Sequence, residues 1–334
     1  MDVRIAVVIP SYKIRRYIMD VISGIGPEVW RIYVVDDCCP EGVGDFVRDN
    51  HNDPRVRVIY HQVNQGVGGA VMTGYRAAIA DGADIIVKID GDGQMNPALL
   101  YKFILPIVKG QADYTKGNRF YDLTHIGSMP AMRLLGNAAL SFMAKISTGY
   151  WNIFDPTNGY TAIHARVAFH LPMEKISRRY FFETDMLFRL NTLRAVVVDI
   201  PMDAVYGGEE SNLHIRNIIG EFFVKHLRNF SKRIFYNYFL RDMTLASFEL
   251  LFGIILLGFG IVFGSMHWIS ALSQGTPTPL GTIMLAALPV LIGLQLILAF
   301  LGYDIANVPS RPIHDYLPGS RRPDSAIEET KNVK

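Results

Sequence analysis

Apolar residues in the first two hundred positions fall into short runs stopped by acids, glycine or proline, whereas beyond residue 240 they form two runs of bilayer length. Arg4 to Pro10, RIAVVIP, and Arg31 to Asp37, RIYVVDD, read as β-branched strands on either side of a helix over Ile14 to Ile25. Val56 to Tyr60 predicts a third strand, Gly69 to Ala80 a helix rich in small residues, Asp84 to Ile89 a fourth strand and Leu99 to Val108 a helix. Asp113 to Phe120 follows as strand and turn, and Met129 to Thr148 as a helix with Arg133 and Asn137 on one face at i, i+4. Thr161 to Ala165 is a strand, Phe181 to Leu190 carries Glu183 and Asp185 near a helix start, and Ala195 to Ile200 is a last strand closed by Pro201. Alternation of this kind predicts an α/β domain with a mainly parallel sheet, helices on both faces and ligands beyond the carboxyl ends of the strands. Ser11, Asp37 and Asp90 would share that edge.

The pattern changes after residue 210. From Ile215 to Tyr238 apolar residues recur at helical spacing (Ile215, Ile218, Ile219, Phe222, Phe223, Phe230, Ile234), with Lys225, Arg228 and Lys232 on another face. A basic amphipathic helix just ahead of an apolar span belongs at a membrane surface, with packing against the globular domain as the alternative. Phe248 to Met266 and Leu280 to Gly302 each reach the ~20 residues that cross a bilayer. Lys225, Arg228, Lys232, Arg233 and Arg241 precede the first span and Arg311, Arg321 and Arg322 follow the second, while the loop from His267 to Pro279 has no Lys or Arg. The positive-inside rule then predicts that the domain ahead of the spans and both termini lie in the cytoplasm, and the expected location is the inner (cytoplasmic) membrane, as a multi-pass protein. The expected divisions are 1–210 for the α/β domain, 211–243 for the juxtamembrane helices, 244–304 for the spans and 305–334 for a cytoplasmic tail. No signal peptide is expected, because the apolar run within Met1 to Pro10 is short and passes into a strand. The net charge of +2 says nothing by itself, and no nucleic-acid partner is expected. The two cysteines, Cys38 and Cys39, are adjacent and suit a reducing compartment without a disulfide framework.

The chemistry concentrates in Val87 to Pro97, VKIDGDGQMNP, where a buried-strand pattern ends in two aspartates separated by Gly91. Alternation places Asp90 and Asp92 on one side of a strand end, and Gly91 is expected to let the backbone turn toward a ligand. Two such carboxylates suit Mg²⁺ or Mn²⁺, hard cations often completed by substrate phosphates. A solvated Asp-Gly turn is the bland alternative; the preceding Ile85, Ile86, Val87 and Ile89 favour the site. Asn64 to Ala70, NQGVGGA, opens a helix and either presents backbone N–H groups to phosphate or is a plain glycine turn. Its spacing is neither a P-loop nor a GxGxxG, which argues against an ATPase or a nicotinamide enzyme.

Taken in order, VVIPSY, VVDD, NQGVGGA, DGDGQMNP, KGNRF, Arg133 fourteen residues after Arg119, and DPTNGY make the sequence resemble the dolichyl- and polyprenyl-phosphate hexose synthases. These are membrane-attached family 2 glycosyltransferases with a GT-A, Rossmann-like catalytic domain, and the resemblance runs over Val7 to Pro201 and on into the amphipathic and membrane helices. It implies that Pro10, Ser11, Asp37, Asn64, Gly66, Asp90 and Gln94 bind a nucleotide sugar, with Asp37 reading the base, and that Asp90 and Asp92 hold Mg²⁺ or Mn²⁺. It assigns Arg119, Arg133 and Arg216 to the phosphate of a polyprenyl phosphate acceptor. Asp155 is the candidate base or acceptor-orienting carboxylate, with capping of its own turn as the alternative. The sequence departs from the family at Tyr12-Lys13 and Cys38-Cys39, and it lacks the QxxRW motif of processive polymer synthases. The expected reaction is one inverting sugar transfer to polyprenyl phosphate at the cytoplasmic face. Transfer to a lipid-linked saccharide or other membrane glycolipid is the second reading, and a catalytically silent membrane adaptor the third. A homo-oligomer is compatible with all of them.

Overall fold

A computed structural model describes residues 3–121, 131–203 and 215–318. Seven strands form one mixed sheet: β1 (Ile5–Ser11), β2 (Val29–Asp36), β3 (Val56–Tyr60), β4 (Ile85–Lys88), β5 (Tyr114–Asn118), β6 (Thr161–His164) and β7 (Val197–Pro201), in the order β3-β2-β1-β4-β6-β5-β7. β1 runs parallel to β2 and β4, β2 to β3 and β5 to β7, while β6 is antiparallel to β4 and β5. The unbroken apolar runs of β1 and β4 follow from burial on both faces. Alternate residues of β1 show this: Ile5, Val7 and Ile9 join a core with Ile18 and Ile22 of helix α1 (Ile18–Ser23), Val47 of α2 (Val43–Asn50) and Phe103 of α4 (Leu100–Val108). Val8 points the other way, against Gly74 of α3 (Val67–Ala80), where an added Cβ would overlap the valine side chain. Helices α5 (Ala131–Thr148), α6 (Ala165–Phe169) and α7 (Phe182–Leu193) complete this unit.

Two local expectations shift. The first helix is shorter than the apolar spacing predicts, because Lys13 takes a left-handed φ of 58° and the following residues turn before regular helix begins. α2 was not expected; its eight residues bury Val43 and Val47, too few apolar positions to stand out beside Pro40 and Gly42.

The connectivity gathers chain ends at one edge. β1, β2 and β4 finish there at Ser11, Asp36 and Lys88, and the antiparallel β6 starts there, Thr161 pairing with both Lys88 and Lys116. β5 and β7 finish there too, Asn118 opposite Pro201. The direction of winding reverses between β1 and β4, which is where open α/β sheets leave a ligand crevice.

A second compact unit comprises Phe230–Val308. It takes in the end of α8 (Ile215–Phe235), a π-helical turn over Tyr236–Arg241, and the apolar helices α9 (Leu245–Gln274) and α10 (Leu280–Ala306). At ~1.5 Å per residue, 30 and 27 residues exceed a hydrocarbon core of ~30 Å. Small residues let α9 and α10 pack closely: a Cβ on Gly260 would lie 2.8 Å from the Ala286 carbonyl oxygen, and one on Gly293 2.6 Å from the Leu257 nitrogen. Within this unit Arg233 forks onto Asp304 at 2.5 and 3.0 Å, and the Tyr238 hydroxyl donates to the same carboxylate at 2.6 Å.

Candidate functional site

The loop after β2 is built on two buried acids. Asp36 accepts the Cys39 and Gly44 N–H groups at 2.7 and 2.6 Å, which fixes the chain's exit from the strand. Asp37 faces His61 Nδ1 at 2.7 Å and accepts the N–H groups of Gln65 and Gly66, both at 2.7 Å. Asn64 Nδ2 donates to the Asp37 carbonyl at 3.1 Å. Its carboxylate therefore ties the β2 end to the glycine loop, and Asn64 and Gly66 are partners in that tie. Gly66 has φ +81°, and a Cβ there would strike the Arg178 carbonyl. The Gly68 and Gly69 N–H groups also end on that carbonyl, at 2.9 and 3.4 Å. The glycines thus allow the loop and the 177–182 segment to meet, and four N–H groups open to a phosphate reading in the sequence are spent inside the protein. Ser11 is buried with its hydroxyl on the Ile9 carbonyl, and Pro10 precedes it on β1.

Asp90 and Asp92 leave β4 at the switch point as partly exposed carboxylates. The local reason for the turn differs from the sequence expectation. Gly93, at φ +78°, makes the left-handed step, whereas at Gly91 a Cβ would overlap the tip of Ile14 and crowd Ile9 and Ile18. Asp92 accepts the Gln94 N–H at 3.0 Å, which places Gln94 directly beside it. Beneath the turn, the buried Lys88 ammonium lies 2.8 Å from Asp90 Oδ1 and 3.6 Å from Glu183 Oε1. Burial opposes the Lys88 charge, but Asp90 and Glu183 more than offset it, so its pKa rises; burial likewise raises that of Glu183.

The third group joins the end of β5 to the turn before β6. Arg119 donates to Asp155 through Nε at 2.8 Å and Nη2 at 3.1 Å, a two-point fork on a fully buried carboxylate. Burial alone would raise the Asp155 pKa, yet the guanidinium brings it below the ordinary carboxylate value. A carboxylate so held is a weak base and a strong anchor for Arg119. Lys116 donates to the Asn158 carbonyl, and burial pulls its pKa down to about 8. Asp199, opposite Lys116 on β7, accepts the Phe154 N–H at 2.9 Å and the Asn118 amide at 3.2 Å, and burial raises its pKa to about 6.

Lys88 and Glu183 lie beneath the DxD turn and Lys116 and Asp199 beside the Asp155 turn, and none of the four was assigned to the site from the sequence. A lysine inside an apolar strand run was the available signal for Lys88, and the acid near a helix start was visible at Glu183. Asp185 beside it is structural, accepting the Ser177 N–H at 2.8 Å and the Asn229 amide at 3.0 Å. Arg133 lies in the first turn of α5 and Arg216 in that of α8; their side chains lie outside the described residues, so of the three arginines expected to meet the acceptor phosphate only the Arg119 side chain is described.

Divalent-cation binding fits these residues. Asp90 and Asp92 offer hard oxygen donors at an open edge, and among the described residues no cluster of three or more His, Cys, Asp or Glu is placed to hold a metal. Two carboxylates completed by substrate phosphates match the habit of Mg²⁺ and Mn²⁺.

Residues 6–169 match the family described as Glycosyl transferase family 2. An undecaprenyl-phosphate mannosyltransferase of Micrococcus luteus is 32% identical over 176 residues, covering 52% of this chain and 71% of the relative. A UDP-N-acetylglucosamine–dolichyl-phosphate N-acetylglucosaminyltransferase of Methanococcus voltae is 27% identical over 219 residues, covering 61% and 87%. Among solved structures, the Mycobacterium tuberculosis glucosyl-3-phosphoglycerate synthase in complex with Mn²⁺, uridine diphosphate and phosphoglyceric acid shares the fold, with a TM-score of 0.50 at 16% identity over 69% of this chain and 78% of that one. The mixed sheet with its acidic turn at the switch point is thus a GT-A fold, and the chain belongs to the family 2 glycosyltransferases.

Proposed function

We propose that the protein transfers one sugar, with inversion, from a nucleoside diphosphate sugar to polyprenyl phosphate at the cytoplasmic face of the membrane. The observation that carries this reading is the Asp90-Gly91-Asp92 turn at the switch point, in a chain that also has two helices of membrane-crossing length. Relatives named as undecaprenyl- and dolichyl-phosphate sugar transferases support the acceptor class.

Asp90 and Asp92 hold Mg²⁺ or Mn²⁺, and Gln94 stands beside them. When bound, the cation offsets charge that develops on the leaving diphosphate. Pro10, Ser11, Asp37, Asn64 and Gly66 form the wall for the nucleoside, with Asp37 acting through the loop it fixes. Arg119, held by Asp155, presents its guanidinium toward the acceptor phosphate, and Arg133 and Arg216 are assigned to the same anion. A phosphate monoester with a second pKa near ~6 is largely a dianion at neutral pH, so position matters more than a strong base.

The test is transfer in proteoliposomes from a panel of nucleotide sugars to a short-chain polyprenyl phosphate, with and without chelator. Asp90→Asn and Asp92→Asn are each expected to lower turnover by about a hundredfold or more while the melting temperature stays near wild type. Full turnover in excess chelator, or wild-type activity of either variant, removes the metal assignment. Transfer to a lipid-linked saccharide but not to the polyprenyl phosphate removes the acceptor.

A further inference from the structure

Lys88 is out of character for its strand. Ile85, Ile86 and Val87 are what a strand buried on both faces requires, yet the next residue is a lysine with 1% of its side chain exposed. Withdrawing an ammonium from water costs several kcal/mol, and an apolar side chain would fill the position without that cost. Alternation puts Lys88 and Asp90 on the same face, and the start of α7 brings Glu183 to the other side of the ammonium. The nearer contact, at 2.8 Å to Asp90, is a close ion pair and the 3.6 Å contact to Glu183 a looser one, so the lysine is a cation set between two carboxylates. Gly159 closes the arrangement, because a Cβ there would overlap both Asp90 Oδ2 and Lys88 Nζ. Asp90 is 28% exposed and Glu183 14%, so the trio runs from a carboxylate that solvent reaches to one it barely touches.

We propose that Lys88 is a positioning residue for the donor site: its ammonium holds one oxygen of Asp90, takes its second counter-charge from Glu183, and presents Asp90 to the diphosphate and its cation in one orientation. This rests on the cation assignment made above for Asp90 and Asp92. Without the lysine, Asp90 and Glu183 are like charges with no cation between them, and their repulsion turns Asp90 away from that orientation.

The full-length protein in detergent allows a separation of stability from positioning. Lys88→Met, Glu183→Gln and the double variant are compared by melting temperature, by electron paramagnetic resonance of Mn²⁺ titrated in the presence of uridine or guanosine diphosphate, and by kcat and KM. Lys88→Met alone is expected to melt lower, since it leaves two carboxylates facing each other. The double variant recovers most of that loss, yet its Mn²⁺ affinity stays about tenfold weaker and its kcat about tenfold lower, the scale on which removing a partner of a metal ligand acts. Its KM for the acceptor changes by less than about threefold, and Glu183→Gln alone keeps Mn²⁺ affinity within a similar factor. If the double variant regains Mn²⁺ affinity and kcat together with its melting temperature, Lys88 is only structural and the proposal falls. It falls equally if Glu183→Gln alone loses tenfold, because the acid and not the lysine then acts on the site. Failure of the underlying assignment has its own signature: wild type and Asp92→Asn titrate alike with Mn²⁺, which overturns both readings at once.

Discussion

Arg119 shows how one contact divides a role. Both nitrogens of its fork lie on a buried carboxylate, so Arg119→Ala strips Asp155 of its strongest donors and leaves the backbone N–H of residue 119 at 3.3 Å with Thr157 and Asn158 at 3.3 and 3.4 Å. An under-satisfied buried acid costs about 1–3 kcal/mol, which chemical denaturation reads directly, and the KM for polyprenyl phosphate should rise in the same variant. Arg119→Lys keeps the charge but loses the two-point geometry and should rescue only part of either effect. Unchanged stability in Arg119→Ala would show that Asp155 finds another partner. Asp199 allows the opposite change. Its folded pKa of about 6 lies above the ordinary 3.8, so the folded state binds the proton more tightly and stability is lost as pH rises from about 4 to 6, remaining low above that window. Asp199→Asn keeps an acceptor for the Phe154 N–H without the desolvated charge, and should raise stability at pH 7.5 by about 1–3 kcal/mol with little gain at pH 4. Equal effects at both pH values would assign the change to packing. At this scale the acids of the DxD and Asp37 stood out because they end apolar runs, whereas Arg119 was singled out only through the family resemblance. Lys116 and Asp199 were not legible, since they meet only through strand pairing between residues more than eighty positions apart.

The elements follow hydrophobic period wherever the period is long enough to read. β1, β2 and β4 were visible as continuous apolar runs, while α2, with its few buried residues, and the antiparallel placement of β6 between β4 and β5 were not. Strand direction is a property of pairing, and no residue in Thr161–His164 encodes it. The segment after the second apolar helix carries another element-level contact the sequence hides: Asp113, just before β5, accepts the backbone N–H groups of Ile313 and His314 at 3.0 and 2.9 Å and pairs with His314 Nδ1 at 2.7 Å. His164 stacks on His314 at 4.4 Å, and burial lowers its pKa to about 4. His226 of α8, facing the Ser147 hydroxyl at 2.8 Å, is lowered by burial to about 4 as well. In both cases the unfolded chain takes up the proton near pH 6.5 and the folded one does not, so stability is constant above that value and falls between pH 6.5 and 4. Each histidine should contribute about 1–3 kcal/mol to that loss. Urea denaturation from pH 7.5 to 4.5 should therefore show a steeper acid decline in wild type than in His226→Gln, and parallel curves would remove His226 from the explanation.

For the membrane enzyme proposed above, the decisive element is α8, whose apolar stripe divides in a way the sequence did not anticipate. Phe222 and His226 pack edge-on against Phe181 at 5.4 and 5.0 Å, and Asn229 bonds Asp185, so this side of the helix belongs to the catalytic unit. Lys225 is drawn in with it, its ammonium 5.5 Å from the centre of the Phe181 ring, while it pairs with Glu221 of the same helix at 2.6 Å. The side left to the outside carries Phe223, Val224 and Leu227, each more than half exposed, together with exposed Arg228 and Lys232. Helix packing and membrane contact, alternatives from sequence alone, are thus compatible on opposite faces of one helix. The membrane contact is expected to come from the outer face and not from the stripe that contains Phe222. Arg228→Glu with Lys232→Glu should leave insertion intact, because two spans bury far more apolar surface than a surface helix does. Activity should fall most in anionic liposomes, where each basic residue near the surface contributes on the order of 1 kcal/mol of attraction. High salt should narrow the gap, since the field decays over ~8 Å at physiological ionic strength. Phe223→Asn with Leu227→Asn should lower activity in anionic and zwitterionic bilayers alike and be indifferent to salt, because that pair acts through apolar burial. Measuring both double variants in the two bilayers at two salt concentrations separates the terms. If the charge-reversed protein loses the same fraction of activity in all four conditions, the outer face does not meet lipid, and α8 serves the catalytic unit alone.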